Sequence, residues 1–250
     1  MRYQIEFSEF ALQITSLKDD LIVDTAYHTI SSIGDELKVA EAKSFIKEFS
    51  KSSFLHANDY TCFFRTTNFV LIPNAIFDDN EREKYYELAF GHPNDSNQLF
   101  TSQNFTLGVT SIYEIAPWVS KFCAAFFPSN SITASHLSYL NQCKSIENND
   151  LEGSIFFDES SFYLQLFQGG KLIYSQETAI SSIDDIIYFT TAALLKLPID
   201  NFQGEIKIYP RKHDDTAAPI TSLFERVKEL SDLKFSSFNY DTYQIQILCE

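Results

Sequence analysis

The residues of this chain whose types could do chemistry are few, and most of them stand alone. The four cysteines form no Cys-x-x-Cys pair and the five histidines are isolated, so no set of zinc ligands is indicated. A Walker A loop, a dinucleotide glycine motif and a His-Glu-x-x-His motif are absent from the sequence. What remains is a turn between two apolar runs, in which Asp158 and Glu159 are followed by Ser160.

Adjacent carboxylates raise the question of metal-dependent chemistry. A nuclease of the ribonuclease-H type needs several carboxylates that converge on two metal ions. Asp158 and Asp184 could lie near each other, but the next strand has Lys207, and no acid, at its centre. A metal-dependent nuclease is therefore only a remote alternative, and we predict neither catalytic nor metal-binding residues.

Composition narrows the classes of partner. The 250 residues include 19 Lys and Arg against 34 Asp and Glu, a net charge of −15, which argues against nucleic-acid binding. The first residues hold no apolar signal-peptide core, and no apolar run approaches the roughly 20 residues that cross a bilayer. We therefore expect a cytoplasmic protein that does not bind membranes. The 24 Phe and 13 Tyr either fill a core or form an aromatic surface for another protein.

An internal repeat organises the chain. Ile30-Ser31-Ser32-Ile33 recurs as Ile180-Ser181-Ser182-Ile183, and the same offset of 150 aligns apolar positions over some thirty residues. The repeat predicts a duplicated protein, with a first half at residues 1–150, a second half at 151–250 and an inserted segment near 78–127.

Each half shows the same order of elements. In the second half, strands are predicted at 155–157, 162–167 and 172–174, then a helix that Ser181 or Ser182 caps, and a strand at 205–209. In the first half, strands are predicted near 3–7, 10–16 and 21–28, a helix near 35–49, and strands at 62–65 and 69–73. Three meandering strands, a helix and a further strand are the ribonuclease-H-like order.

The segment between the halves contains a possible docking loop. We predict a helix at 78–90, a polar loop at 91–104, a strand-like run at 105–115 and a helix from Pro117 to Phe127. The loop carries Leu99 and Phe100 among Asn, Ser and Gln, a mixture suited to docking a partner. The alternative is a floppy insertion whose Phe100 folds back onto the core.

The chain resembles a known family over nearly its whole length. The residues that carry the resemblance are FVLIP at 69–73, AIF at 75–77, IYEIAP at 112–117, FFP at 126–128, FD at 157–158, GKL at 170–172 and DDIIYF at 184–189. They resemble a family of uncharacterised bacterial proteins with an actin-like ATPase fold. The resemblance implies an α/β protein of two ribonuclease-H-like units, with mixed sheets flanked by helices, and it carries over no activity.

The actin-like ATPase fold also implies where a nucleotide would bind. Each half of such a protein has a β-hairpin, usually Asp-x-Gly, that holds phosphate, and a Gly-Gly turn accepts the adenosine. The first hairpin here, at Ser8, lacks both residues, and Pro210 follows the strand that should precede the glycines. The second hairpin keeps an acid. If ATP and magnesium bind, we expect Ser8, Asp158, Glu159 and Ser160 to hold them. The favoured interpretation is a non-catalytic actin-like scaffold that binds another protein.

Overall fold

A computed structural model describes residues 2–19, 21–50, 60–93, 98–127, 132–140, 150–157, 161–197, 203–210 and 232–237. These residues divide into two compact units, one on either side of the bond between Ser138 and Tyr139. The boundary that the sequence predicts at 150/151, with its inserted segment near 78–127, remains a prediction.

The first unit alternates strands and helices. Its elements, in chain order, are β1 (Arg2–Phe7), β2 (Ala11–Lys18), β3 (Leu21–Thr29), α1 (Asp35–Ser50), β4 (Tyr60–Phe64), β5 (Phe69–Pro73), a 3₁₀ turn (Asp79–Glu81), α2 (Arg82–Phe90), β6 (Gln98–Asn104), β7 (Val109–Ile115), α3 (Pro117–Phe126) and β8 (Ile132–Ala134). The short helix α4 (Ser135–Leu140) follows across the boundary.

The main sheet of the first unit has the order β3-β2-β1-β4-β8. The first three strands are antiparallel, and β4 and β8 run parallel to β1. Helix α3 packs on the core side of this sheet, where Phe7 meets Trp118 and Phe122 at ring distances of 5.8 and 5.4 Å. At the far end of the helix, Phe127 lies 4.9 Å from Tyr60 of β4. Aromatic side chains therefore fill this core.

The second unit repeats this arrangement. Its elements are β9 (Leu151–Phe157), β10 (Ser161–Gln168), β11 (Lys171–Ala179), α5 (Ile183–Lys196), β12 (Gln203–Pro210) and β13 (Asp232–Ser237). The sheet order is β11-β10-β9-β12-β13, the equivalent of the first. Ile186, Ala193 and Leu194 of α5 join its core cluster.

The pairing of β1 with β2 and the pairing of β9 with β10 have the same register when residue numbers are shifted by the offset of 150. Ile5 pairs with Ile14, and Ile155 pairs with Leu164, 150 positions later in each strand. Even the irregularity between Ser16 and Leu17 recurs between Leu166 and Phe167. The predicted fold class, two ribonuclease-H-like units of an actin-like ATPase fold, is confirmed. Duplication as the origin of the repeat remains a prediction.

The loop predicted at 91–104 is wrong for residues 98–104, and docking by these residues stays a prediction. Residues Gln98–Asn104 form β6, which pairs antiparallel with β7 in a separate sheet of order β5-β7-β6. The strand-like run predicted from Phe105 is instead a turn as far as Gly108, whose φ of +66° suits glycine. An edge strand with half-exposed faces carries too few apolar residues to show a period of two, which is why the pattern missed it.

Carboxylates fix the start of the main helix in each unit, but from different positions. In the first unit, Glu41 of α1 accepts hydrogen bonds from the amides of Ser31 and Ser32, at 3.1 and 2.9 Å, and contacts Nε2 of His28 at 2.9 Å. In the second, Asp185 accepts from the amides of Ser181 and Ser182, at 2.8 and 2.9 Å. The equivalent serines are therefore held by carboxylates that the repeat does not align.

We expect Glu41→Gln to destabilise the protein by about 1–3 kcal/mol at pH 7, because charged hydrogen bonds are lost. Hydrogen bonds, the strongest from Ser32, lower the pKa of Glu41 to about 2. A lowered pKa stabilises the folded state above the unfolded value near 4.5, and that contribution is lost as pH falls toward 2. Urea unfolding between pH 2.5 and 7 should therefore show the two proteins converging in acid. The exposed Glu48→Gln on the same helix is the control; an equal effect there would contradict this role.

A second prediction concerns Gly204 of β12. A side chain here would overlap the carbonyl group of Leu151 on the neighbouring strand, and its φ of +150° is unfavourable for other residues. We expect Gly204→Ala to cost at least about 3 kcal/mol in urea unfolding. Gly108→Ala is the matched control, since Gly108 also has positive φ but meets no atom within 4 Å, and should cost about 1 kcal/mol. Equal costs would show that steric overlap at Leu151 is unimportant.

Candidate functional site

The first hairpin, between β1 and β2, is bonded to its own fold. The Ser8 amide donates to the Ala11 carbonyl at 2.8 Å, and the Ser8 hydroxyl donates to the same oxygen at 3.3 Å. The Phe10 carbonyl accepts from the Ile30 amide at 2.8 Å. The Glu9 carbonyl accepts from the indole N–H of Trp118 at 3.0 Å. Groups of three consecutive hairpin residues are therefore engaged inside the unit.

Trp118 reaches the hairpin because α3 begins beside it. Pro117 occupies the first turn of this helix, where a missing amide costs nothing. The indole ring is buried against Phe7, and its N–H finds the Glu9 carbonyl. Phosphate binding needs amides that point outward at the ligand. The Ser8 amide points instead into the turn, so Ser8 serves the hairpin itself.

Exposed apolar side chains occur in this hairpin and at the start of α1. The Phe10 side chain is 58% exposed, and the ammonium group of Lys38 lies 5.3 Å from its ring centre. Ile33 and Leu37, at the start of α1, are also exposed. Lys38 is thus directed to an aromatic face, an attraction worth about 0.5–1 kcal/mol at exposed sites.

The predicted residues of the second hairpin, Asp158, Glu159 and Ser160, lie outside the described residues. The next residue, Ser161, donates its hydroxyl to Oε1 of Glu177 at 3.0 Å. Glu177 is only 4% exposed, which is unusual for a carboxylate. On the same strand pair, the Tyr163 hydroxyl and the Ser175 hydroxyl are 2.7 Å apart. This face of β10 and β11 is therefore polar and buried.

The third predicted feature is the position after Tyr209. Pro210 is the last residue of β12 and lies in register with Phe157 of β9, while Tyr209 stacks on Phe156 with ring centres 4.9 Å apart. Proline has no amide to offer an adenosine. Arg211 and Lys212, which follow, lie outside the described residues.

A buried serine–histidine pair was not predicted. Oγ of Ser111 in β7 lies 2.6 Å from Nε2 of His136 in α4. The imidazole ring stacks on Phe69 with ring centres 3.6 Å apart, and meets Tyr113 edge-on at 6.2 Å. From its isolated place before a predicted helix, His136 is expected to be a cap or a buried donor and not a base, whereas no motif marks Ser111 within its strand.

The distance between Ser111 and His136 is typical of a nucleophile and its base. Their complete burial is not typical of a catalytic pair. Both side chains have zero exposure, so no substrate reaches them. The neighbouring Tyr113 hydroxyl donates to the Ile132 carbonyl at 3.0 Å and contacts the Ser102 hydroxyl at 2.8 Å. Burial raises the pKa of Tyr113 to about 12. These contacts join the small sheet to β8 and α4, which is a structural role.

In the described parts of the chain, no three His, Cys, Asp or Glu side chains lie close enough to hold a metal ion. No described helix is both long enough and apolar enough to span a membrane.

The fold places this chain among proteins with an actin-like ATPase fold. It belongs to the family of proteins of unknown function DUF3822, whose model matches residues 11–226. A Bacteroides thetaiotaomicron protein with an actin-like ATPase fold and unknown function is similar over 100% of this chain and 96% of its own, with TM-score 0.75 and 15% identity. The PilM–PilN type IV pilus biogenesis complex is similar over 94% and 88%, with TM-score 0.55 and 10% identity. Among proteins of curated function, none matches this chain in sequence.

The buried pair leads to a prediction about reactivity. A fluorophosphonate, which modifies activated serines, should leave Ser111 of the native protein unmodified, because the hydroxyl has no exposed surface. We expect Ser111→Ala to lower the free energy of unfolding by about 1–3 kcal/mol, because His136 loses a buried hydrogen-bond partner. Peptide mass spectrometry and urea unfolding are the measurements. The exposed Ser181, just before α5, is the comparison residue: its modification reports how far the reagent labels a serine that is accessible but not activated. A modified Ser111 in the folded chain would contradict a purely structural role.

Proposed function

We propose that this protein acts by binding another protein and does not hydrolyse a nucleotide. The observation that supports the proposal is the first hairpin, where the Ser8 amide and the Glu9 carbonyl are bonded to Ala11 and Trp118. Actin-like ATPases need outward hairpin amides for phosphate, and here the Ser8 amide is already used. If the hairpin does not bind phosphate, the function of this fold must lie in another site on its surface.

Two observations agree with a role in protein binding. PilM, whose complex with PilN is a structural neighbour, has a related fold and is found bound to another protein. In the present chain, the apolar side chain of Phe10 is exposed in the first hairpin, and those of Ile33 and Leu37 are exposed just before and within the first turn of α1. Exposed apolar groups of this kind are typical of docking surfaces. Binding of a protein, rather than of ATP, is the function we favour.

The alternative is a nucleotide-binding protein with a degenerate site. In that case ATP with magnesium would be held by Ser8, Asp158, Glu159 and Ser160, and most of the binding would come from the second hairpin. Ser161 directly follows that hairpin in the sequence, and its hydroxyl donates to the buried Glu177 on the adjacent strand β11. They offer a polar setting, so this alternative is worth a direct test.

We expect ATP with magnesium to leave the melting temperature unchanged. A ligand that binds only the native state at a hundredfold excess over its dissociation constant stabilises by about 2.7 kcal/mol. For a chain of this size such a gain raises the melting temperature by several degrees. Differential scanning calorimetry at millimolar ATP, ADP and magnesium is the measurement, with magnesium alone as the control.

A clear, magnesium-dependent shift with ATP would overturn the proposal. The variant Asp158→Asn/Glu159→Gln should abolish such a shift if the second hairpin holds the nucleotide. The positive test is a photo-crosslinking residue placed at Leu37, used in cells of the source organism. We expect one reproducible protein adduct from Leu37, and none from the same residue at Glu48, which is exposed on the same helix.

A further inference from the structure

In the described part of the chain, the small sheet of the first unit ends at strand β6. Its order β5-β7-β6 places β7 in the middle and β6 at one side. Strand β6 pairs with β7 along its whole length, and within the described ranges no strand pairs with the other side of β6. Every second residue of an edge strand directs its amide and carbonyl away from the sheet. We call the outer side of residues 98–103 the β6 edge.

The β6 edge differs from the other edges of this chain. Proteins protect their sheet edges with charges, prolines or short strands. Among the other described edge strands, β3, β11 and β13 contain charged residues, β5 ends in Pro73, and β8 has three residues. Strand β6 has seven residues, QLFTSQN, with neither a charge nor a proline. It is therefore the least protected long edge that the structure describes.

Both faces of the β6 edge offer partly exposed side chains. Register with β7 places Leu99 and Thr101 on the face of Glu114 and Ile112, and Phe100 and Ser102 on the face of Tyr113 and Ser111. Leu99, Phe100 and Thr101 are only partly buried. Helix α2 packs against β5 and β7, so β6 lies to one side of it.

Apolar side chains are also exposed at positions that flank β6 in the chain. Phe105, one residue after the strand, is 81% exposed, and Leu88, near the end of α2, is 86% exposed. An added strand would cover the partly exposed side chains of Leu99 and Phe100, which lie on opposite faces of β6, beside its backbone hydrogen bonds. That combination gives strand addition both affinity and side-chain selectivity.

We propose that the β6 edge binds an extended segment of a partner protein, which adds to the sheet as a fourth strand beside β6. The segment has an uncharged core of five to seven residues rich in β-branched and aromatic side chains, as cross-strand pairing with Leu99, Phe100 and Thr101 favours. Lys or Arg flanks this core, because the chain carries a net charge of −15. The inference rests on the proposed protein-binding function and adds to the surface at Phe10, Ile33 and Leu37 a second docking site, with the class of its partner.

The test uses the full-length protein and a phage-displayed library of random 16-residue peptides. Gln98→Lys/Gln103→Lys adds two charges to exposed positions of the β6 edge. Thr29→Lys/Gln176→Lys is the matched control, since it adds the same charge to exposed positions of the edge strands β3 and β11. Dissociation constants of an enriched peptide are measured by isothermal titration for the three proteins.

We expect enriched peptides with an uncharged β-forming core and basic flanks. Their affinity should fall at least tenfold in the β6 variant and less than threefold in the control, and amides of 98–103 should gain protection from hydrogen exchange. If the double variant melts below the parent, Gln103→Lys alone provides the same comparison with Gln176→Lys.

Three results would overturn the inference. One is a peptide that binds the β6 variant as tightly as the parent, which would place the docking surface elsewhere and leave the proposed function standing. Another is a library from which no peptide is enriched. The last is a dimer in sedimentation velocity that the β6 variant dissociates, because the occupant would then be a second copy of this chain. Failure of the protein-binding function itself would be seen separately, as an ATP-dependent rise in melting temperature.

Discussion

The pairing of β1 with β2, repeated by β9 with β10, is the interaction on which both units depend. These strands lie inside their sheets, and β10 is buried from 161 to 167, so every backbone group must find its partner within the sheet. A slip of one residue would turn Ile5 and Ile14, or Ile155 and Leu164, from the core to the opposite face. The shared register keeps the aromatic and aliphatic cores in place, and with them the helices that pack there.

The same pairing determines what the first hairpin can do. A tight connection between β1 and β2 brings the Ser8 amide to the Ala11 carbonyl, and the buried Trp118 takes the Glu9 carbonyl. Hydrogen bonds that stabilise a hairpin are unavailable to a ligand, because binding would require breaking them at about 1–3 kcal/mol for each buried group left unpaired. The actin-like ATPase fold is thus present here with the Ser8 amide and the Glu9 carbonyl of its first hairpin bonded within the unit.

The small sheet is organised on different principles from the two main sheets. Ser111, His136 and Tyr113 join one face of it to α4 and β8 through hydrogen bonds and ring contacts. Tyr86 of α2 is buried on the other side, where burial and the nearby Glu114 raise its pKa. Polar ties on both faces hold the sheet to the rest of the unit, which leaves the uncharged edge of β6 as its accessible side. The edge of such a sheet can bind a strand through its backbone groups, without needing an activated side chain.

Local patterns in the sequence determined most elements of both main sheets, because alternation, apolar helix faces and the Ser182–Asp185 cap act over a few residues; the edge strand β13 was not predicted. The actin-like fold followed from their order. Strand β6 was not predicted, since a half-exposed edge strand lacks the apolar alternation on which a strand prediction depends. Of the predicted site residues, Ser8 was placed within its turn, whereas Asp158, Glu159 and Ser160 stay predictions. The bonds that decide the chemistry join residues 25 apart, in Ser111 and His136, and 109 apart, in Trp118 and Glu9. No periodicity relates side chains at such separations, so only the tertiary structure decided that the hairpin and the serine are already engaged.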